Sequence, residues 1–411
     1  MGSRMKVSVI LSSFLITALL VVGAVLGKSE EKEGAYRPLA VYTEVLARIT
    51  SDYVEEPDIP KVTEGALQGL VEYLDPQSSY LSAEQYGEYL KSLKTEDGGT
   101  GLATGMVVHK RVNYTTVMAV LPGSAADEAG IQAGDLIEAV DEMSTRVMPP
   151  AYLLSKLSGE PGVRVSVMIR PVNNYDSPKE YELRRSAVRL PDVKSEMLEG
   201  NIGSITATAL TAKHVQQIAA AIKSLESSGA EKLIVDVRSS LIGEISDGIQ
   251  LANLFLDSGT IASAKGQKYA EKIYSADAES TVTALPVAFI IDRPTAGAAE
   301  VAAAAILQNS RGVVVGESSY GLAAIQETIE LDDGAALLLS VAKYYGPDGK
   351  AIHDEGLEPN HLVAPRDLRK FREFQRGAPA LNEPDRPQVI KPELEDTGDP
   401  FIKKAIEVLN G

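Results

Sequence analysis

The sequence contains no cysteine, and histidine occurs only four times in 411 residues. Without cysteine the chain has no disulfide, no thiol nucleophile, no thiolate metal site and no lipid-modified N-terminal cysteine. The histidines, at positions 109, 214, 353 and 361, are scattered and lack the HExxH spacing of zinc enzymes. The sequence therefore predicts no metal site, and nothing in it indicates a cofactor.

Basic residues are scarce relative to acidic ones. Lys and Arg total 40, Asp and Glu total 57, and the net charge is −17 at pH 7. Such a surface repels phosphate backbones, which argues against nucleic-acid binding and against attachment to anionic lipid by charge. Apolar residues make up 44% of the chain, enough for globular cores. A length of 411 residues suggests two or three domains.

The N-terminus carries a long uncharged run, residues 7–26, preceded by Arg4 and Lys6 and followed by acidic residues. A run of this length can span a bilayer, and the charge bias places the N-terminus in the cytoplasm. We expect residues 1–28 to be a signal anchor or a cleaved signal peptide. The rest of the chain would then lie on the periplasmic or extracytoplasmic side of the cell envelope, anchored to the membrane or secreted after cleavage.

Residues 35–95 are predicted to form a helical N-terminal region. Tyr42, Val45 and Ile49 recur at the i, i+3, i+7 spacing of one helical face. The segment Leu-Asp-Pro-Gln-Ser-Ser-Tyr-Leu at residues 74–81 predicts a turn, after which a further helix begins.

Residues 96–172 have a different composition, with a glycine-rich start, β-rich segments and the motif Gly-Ser-Ala-Ala-Asp-Glu-Ala-Gly-Ile-Gln-Ala-Gly-Asp-Leu-Ile at residues 123–137. This arrangement resembles a PDZ domain. The resemblance implies that a peptide C-terminus binds as an added strand, beside a helix at residues 148–157, and that the backbone amides of one loop bind its carboxylate. That loop corresponds to Leu102, Ala103, Thr104, Gly105 and Met106. The alternative is a PDZ fold that serves only as a spacer or gate.

Residues 175–365 are predicted to form an α/β core, because buried strands alternate with helices along this segment. Such alternation indicates a mainly parallel sheet with flanking helices, so the whole chain is a multi-domain α+β protein. Residues 366–411 are predicted to be a Pro-rich arm followed by a C-terminal helix with one apolar face.

Within the core, residues 288–301 combine a buried strand, a sharp turn and the start of an Ala-rich helix. A helix N-terminus after such a turn favours a developing anion, which makes it a common position for a nucleophile. Here the turn carries Gly297, which has no side chain. The segment Tyr-Gly-Leu-Ala-Ala-Ile-Gln follows at residues 320–326.

These two segments, with the 74–81 motif, resemble the C-terminal processing peptidases, also called tail-specific serine proteases. Members of that family use a nucleophilic serine and a general-base lysine. The resemblance places the serine at Gly297 and the lysine at Leu322, and it leaves only Gln326 of the catalytic set unchanged. It also implies frequent dimerisation through the N-terminal region and a C-terminal helix.

A third catalytic element is altered as well. The family has an Asp-Leu-Arg-x-Asn-Pro-Gly-Gly-like turn, one of whose glycine amides donates to the oxyanion. This chain reads Asp-Val-Arg-Ser-Ser-Leu-Ile-Gly at residues 236–243. Arg238 is kept, but Ile242 replaces a glycine before Gly243, and a β-branched residue restricts the backbone.

The sequence therefore favours a catalytically inactive homologue that binds protein C-termini or unfolded tails, or that scaffolds a complex. A homodimer, or pairing with an active paralogue through the terminal helices, is expected. The alternative is an active serine endopeptidase of this family with a relocated nucleophile. The residues considered for these roles are Ser239, Ser240, Thr295, Ser318, Ser319, Lys343 and Lys350. Each is more consistent with an ordinary turn or surface residue.

Overall fold

The computed structural model describes residues 33–111, 113–172, 174–363 and 399–411. The predicted targeting segment, residues 1–28, lies outside the described residues, as does the predicted Pro-rich arm. None of the helices in the described ranges is both long and apolar enough to cross a membrane. By its contacts the chain divides into two compact units, Met1–Ala66 and Leu67–Gly411.

The described helices, in chain order, are α1 (Glu33–Asp52), α2 (Ile59–Glu72), α3 (Ala83–Ser92), α4 (Ala125–Glu128), α5 (Pro150–Leu157), α6 (Ala212–Ser227), α7 (Ile245–Asn253), α8 (Ala298–Gln308) and α9 (Pro400–Asn410). The described strands are β1 (Ser79–Leu81), β2 (Met106–Arg111), β3 (Tyr114–Val120), β4 (Leu136–Val140), β5 (Met143–Ser144), β6 (Arg164–Arg170), β7 (Lys179–Arg184), β8 (Lys194–Leu198), β9 (Ile202–Thr206), β10 (Lys232–Asp236), β11 (Thr260–Lys265), β12 (Lys272–Ser275), β13 (Val287–Ile291), β14 (Val313–Gly316), β15 (Ala324–Glu330), β16 (Ala336–Tyr345) and β17 (His361–Leu362).

The core contains the predicted mainly parallel sheet, with strand order β17-β14-β13-β10-β9-β8. Only the β8–β9 pair is antiparallel. Successive residues of β13 alternate between the two faces, so Phe289 packs with α6, α7 and α8 and Ile290 packs with α9. Helices therefore cover both faces, as the βα alternation predicts, and the predicted fold class is confirmed.

A second, antiparallel sheet was not predicted. It contains β1, β16, β11 and β12 in that order, with β15 also paired to β16. Strand β1 lies within the segment predicted as a turn, so that prediction was wrong for residues 79–81. Tyr80 and Leu81 are buried and pair with residues 336–337 of β16, which explains why the chain is extended there.

The PDZ sheet has strand order β2-β3-β4-β6-β7, and β5 pairs with β4. Strand β2 lies at its edge, and α5 packs close to β2. Gly105, which precedes β2, has φ 86° and lies so close to Ser124 that a Cβ would clash with that side chain. The position therefore requires glycine.

The C-terminal helix α9 covers the second face of the parallel sheet. Phe401, Ile402, Ala405, Ile406 and Leu409 pack against a strip of sheet residues. That strip consists of Ile202, Ile234, Ala288, Ile290 and Val315. The apolar face of the helix is therefore covered by the same chain.

Candidate functional site

The turn after β13 is joined to the turn after β10. Asp292 accepts a hydrogen bond from the backbone N–H of Ser239 at 2.8 Å and another from the hydroxyl of Thr295 at 2.8 Å. The N–H of Ala296 donates to the carbonyl oxygen of Ser240 at 2.9 Å. Because neighbouring parallel strands end at the same sheet edge, the two turns form one bonded unit.

Gly297 is the last residue of this turn and immediately precedes α8. Its backbone angles are φ 58° and ψ −113°, and its N–H donates to Glu300 Oε2 at 2.8 Å. A Cβ at this position would lie 3.4 Å from the carbonyl oxygen of Leu322, an ordinary contact distance. The positions that the resemblance assigns to the nucleophile and the base are therefore adjacent in the fold.

Glu300 is fully buried. It connects the turn after β13, which ends at Gly297, with a turn at residues 319–322, called the second turn below. Its Oε1 accepts hydrogen bonds from the hydroxyl of Ser319 and from the N–H of Gly321 at 2.6 Å. Its Oε2 accepts from the N–H of Gly297 at 2.8 Å and from the N–H of Leu322 at 2.9 Å. One carboxyl group therefore fixes the spacing between Gly297 and Leu322.

The bonding of Glu300 also limits its chemistry. Burial raises the pKa of the Glu300 carboxyl above its ordinary value, and the hydrogen bonds from Ser319, Leu322, Gly321 and Gly297 act against this rise. Three of the four donors are N–H groups, which cannot accept a proton, so protonation at any of these positions would break a bond. We infer that Glu300 organises the two turns and has no lone pair free to act as a general base.

Leu322 and Gln326 have different surroundings. The half-buried Leu322 lies in the second turn. This turn is bonded to the turn after β13, because the N–H of Tyr320 donates to the carbonyl of Thr295 at 2.9 Å. Gln326 is exposed, and its side-chain N–H donates to the carbonyl of Gln77 at 2.9 Å. Gln326 therefore binds the 74–81 motif through this bond.

Arg238 extends towards the C-terminal helix. Its guanidinium pairs with Asp236 and with Asp399, each at 2.6 Å, and lies 4.9 Å from the ring centre of Phe401. Asp399 also accepts the N–H of Phe401 and so caps α9. Arg238 thus connects the turn after β10 to α9.

Ile242 and Gly243 are fixed by packing against the segment before α6. The carbonyl of Ile242 accepts the N–H of Leu210 at 2.7 Å. Gly243 has φ 145°, and a Cβ there would lie only 1.8 Å from the Leu210 carbonyl oxygen. Ser239 is the non-glycine residue of this turn with a positive φ, at 56°. Ile242 does not have a positive φ, so its backbone is not strained in that way.

The predicted peptide-binding loop lies in the PDZ region, away from the two turns in sequence. All five residues, Leu102, Ala103, Thr104, Gly105 and Met106, are buried. The N–H of Ala103 donates to the Asp97 carboxylate at 3.3 Å, and the N–H of Gly105 donates to the carbonyl of Leu102 at 2.8 Å. A peptide carboxylate that used these amides would therefore have to replace internal acceptors.

The PDZ edge strand touches the second turn directly. The hydroxyl of Tyr320 hydrogen-bonds Nδ1 of His109, a residue of β2, and the two rings pack edge to face with centroids 4.6 Å apart. The edge strand β2 and the turn that carries Leu322 are therefore in contact.

Known proteins with this organisation identify the family. A sequence profile of peptidase family S41 matches residues 201–363, and a PDZ profile matches residues 116–171. The carboxyl-terminal-processing protease of Picosynechococcus is 31% identical over 292 residues, which cover 70% of this chain and 70% of that protein. The corresponding Synechocystis protease is 30% identical over 303 residues, covering 72% of this chain and 70% of that protein.

The chain belongs to the carboxyl-terminal processing protease family. The protease CtpA of Bacillus subtilis is also similar, at 30% identity over 316 residues, covering 76% of this chain and 66% of that protein. The solved structure of a photosystem II D1 C-terminal processing protease has the same fold, with a TM-score of 0.62 and 24% identity. The matched region covers 80% of this chain and 94% of the chain in that structure. The predicted family is therefore confirmed, and its members are serine C-terminal peptidases.

The sequence of this carboxyl-terminal processing protease homologue did not reveal the structural role of one residue, Glu300. Glu300 stands in the first turn of α8, where a carboxylate complements the helix dipole, and local sequence alone did not indicate that it bonds two turns. A signal was present: every residue from Ala298 to Ile306 other than Glu300 is apolar, and a helix that is apolar all round is buried. A buried carboxylate needs several partners.

Proposed function

We propose that this chain is a catalytically inactive family member that binds protein C-termini or unfolded tails, or scaffolds a complex, without cleaving its ligand. One observation carries the proposal. Gly297, at the start of α8, lies next to Leu322, and the family resemblance assigns the nucleophile to the first position and the base to the second. Glycine has no oxygen to attack a carbonyl carbon, and leucine cannot accept a proton at any pH.

The donor side of the site supports the same conclusion. A serine peptidase stabilises its oxyanion with preorganised N–H groups that point at the developing charge. The N–H of Gly297 is already bonded to Glu300, and the turn at Ile242 is held by Leu210. Nucleophile and base are therefore both missing, and the N–H at the start of α8 already has an acceptor.

Three hydroxyl groups near the site have structural partners. Ser319 donates to Glu300 and accepts the N–H of Leu357, while Ser239 and Thr295 bind Asp292. Lys343 pairs with an aspartate at 2.6 Å rather than with a hydroxyl. These contacts favour inactivity over a relocated nucleophile.

Ser240 is the strongest position for the alternative function, an active endopeptidase. It is buried, and its carbonyl oxygen is bonded to the residue that precedes Gly297. Labelling of Ser240 by an active-site probe would favour that alternative.

The proposal includes location and partners. The PDZ region supplies the peptide-binding part, and residues 1–28 anchor or export the chain, so the ligands are proteins of the cell envelope. The assembly is a homodimer or a pair with an active paralogue. Co-purification from the native membrane separates the two, because a regulatory subunit would bring the active protease with it.

The decisive experiment measures cleavage by the full-length chain of an unfolded protein and of a peptide with a free C-terminus. The Bacillus subtilis relative serves as the positive control. We expect a rate at least about 10⁴-fold lower than that of the relative, the scale of loss when catalytic groups are removed. Turnover at ordinary protease rates, abolished by one substitution such as Ser240→Ala, would contradict the proposal.

A fluorophosphonate probe provides a second, independent readout. We expect no labelling of the native chain and weak labelling of the double variant Gly297→Ser, Leu322→Lys. That variant should not recover full activity, because the turn keeps Ile242, whose carbonyl oxygen still accepts the N–H of Leu210. Full recovery by those two substitutions would show that the turn is already competent.

A further inference from the structure

His353 is a buried histidine without a hydrogen-bond partner on either ring nitrogen. Its exposed fraction is 1%, and it follows β16 in the chain. It lines a cavity of about 10 Å³, room for about one water molecule. The other residues lining this cavity are Pro76, Tyr320, Gly321, Leu322 and Asp354. An unpartnered buried ring beside the second turn needs an explanation, since buried polar atoms are normally bonded.

The charges around His353 come from three elements. Nε2 lies 3.6 Å from Asp354 Oδ1, Asp75 approaches from the 74–81 motif, and Lys343 approaches from β16. Tyr320 also lines the cavity, and its hydroxyl is bonded to His109. Two carboxylates and one ammonium sum to −1, so one proton on the ring would neutralise the cluster.

Only Asp354 is placed to accept a bond from a protonated ring. The carboxylate of Asp75 is already bonded by Ser78, Gln77 and Ser340. Burial opposes ionisation of Asp75, but the bonds from Ser78 and Gln77 outweigh it and hold its pKa below the ordinary value. Asp354 binds Lys343 through Oδ2, which leaves Oδ1 directed at the ring but beyond hydrogen-bond distance.

Asp354 is in turn bonded to the second turn. Its N–H donates to the carbonyl of Gly321 at 3.0 Å, and the N–H of Gly321 donates to Glu300. Tyr320, one residue earlier, holds His109 of the PDZ edge strand. A displacement of Asp354 would therefore act on the same turn that contacts β2.

We propose that His353 is an acid-sensitive switch for this turn. A neutral ring tolerates the cavity, whereas a charged ring needs acceptors for both N–H groups. Protonation draws Asp354 towards the ring and loosens residues 320–322 together with their contact to β2. The switch is independent of whether the chain cleaves peptides.

The direction of the pH effect follows from the surroundings. Burial lowers the pKa of His353 below its ordinary value, Asp354 and Asp75 work against that, and Lys343 adds to it. The unfolded or opened chain therefore takes up the proton at a higher pH than the closed one. Stability of the closed form falls as the pH drops from about 6.5 towards the lowered pKa, and the loss is complete below it.

The test uses the full-length chain with ¹³C-labelled histidine and amide hydrogen exchange between about pH 7.5 and about pH 5. We expect the His353 signal, assigned with His353→Gln, to titrate below its ordinary value. The amides of Gly321 and Leu322, corrected for intrinsic exchange, should lose about tenfold or more of their protection over that range.

Variants separate this switch from other titrations. His353→Gln should abolish the loss of protection, and His361→Gln, which alters a half-buried histidine of β17, should leave it unchanged. Asp354→Asn is a second variant that should lower the pKa of His353 further and weaken the response. If His353→Gln keeps the full response, Glu300 or another group is responsible and the proposal fails. It also fails if His353 titrates while the protection of Gly321 and Leu322 stays constant.

Discussion

At the scale of single residues, Gly297 has backbone angles that strain any other amino acid. A φ of 58° with a ψ of −113° belongs to the first central position of a type II′ turn, where glycine dominates. A serine in this turn would have to adopt the same angles, and strain of this kind is typical of catalytic residues. Glycine keeps the shape of the turn and removes the strain.

We therefore predict that Gly297→Ala lowers the free energy of unfolding by about 1–3 kcal/mol. The loss comes from the backbone, because the added Cβ would make only an ordinary contact at 3.4 Å. Urea-induced unfolding measures it. The matched control is Gly87→Ala within α3, where nothing lies within 4 Å of the new Cβ and helix propensity favours alanine. An unchanged stability for Gly297→Ala would mean that the turn can relax.

Glu300→Gln tests the carboxyl clamp. An amide offers one acceptor and one donor group where the carboxyl now receives bonds from four donors, so at least one buried N–H loses its acceptor. The expected loss is about 1–3 kcal/mol for each such N–H, measured by thermal or urea unfolding. Glu327→Gln on the exposed face of β15 is the control and should change stability by less than about 0.5 kcal/mol.

At the scale of elements, α9 decides how the parallel sheet is covered. From sequence its apolar face predicts only that it packs on something. In the structure Ala405 is fully buried against the sheet, and Asp399 pairs with Arg238, 161 residues earlier. The helix therefore supports the turn after β10 as well as the sheet.

Ala405→Asp should displace α9, because a carboxylate would have to enter the apolar contact with the sheet. We expect increased binding of a hydrophobic dye to the uncovered sheet face and faster proteolysis near the C-terminus. Lys403→Asp changes an exposed position of the same helix and should do neither. If both variants behave alike, the helix is not held by this contact.

At the scale of the whole molecule, the PDZ region and the peptidase-like core meet at the second turn. His109 of β2 binds Tyr320, and Tyr86 of α3 binds Glu330 of the antiparallel sheet. A peptide that adds to β2 would lie beside the strand that touches the core. Binding of such a peptide would therefore be linked to the arrangement of the turn through His109 and Tyr320.

We predict that the full-length chain binds peptides with a free C-terminal carboxylate and that amidation of the same peptide weakens binding about 10- to 100-fold. This corresponds to the loss of charge-assisted hydrogen bonds to loop amides. Isothermal titration of matched peptides measures the ratio. Equal binding of both forms would favour a spacer or gate role for the PDZ region.

Much of the core could be predicted from the sequence. The buried strand and the Ala-rich helix predicted around residues 288–301 are found at Val287–Ile291 and Ala298–Gln308. Both elements have continuous apolar patterns, which indicate a buried strand and a buried helix from the local sequence alone. The antiparallel sheet was missed, since β15 is largely exposed and β1 is only three residues long.

The sequence by itself determined the family, the parallel core and the absence of an oxygen at Gly297 and of an amine at Leu322, because residue identity and local periodicity are written along the chain. Only the tertiary structure decided that Glu300 joins Gly297 to Leu322 and that His353 lies unpartnered behind the same turn. These relations depend on how distant segments pack, and burial then sets which polar groups must find partners.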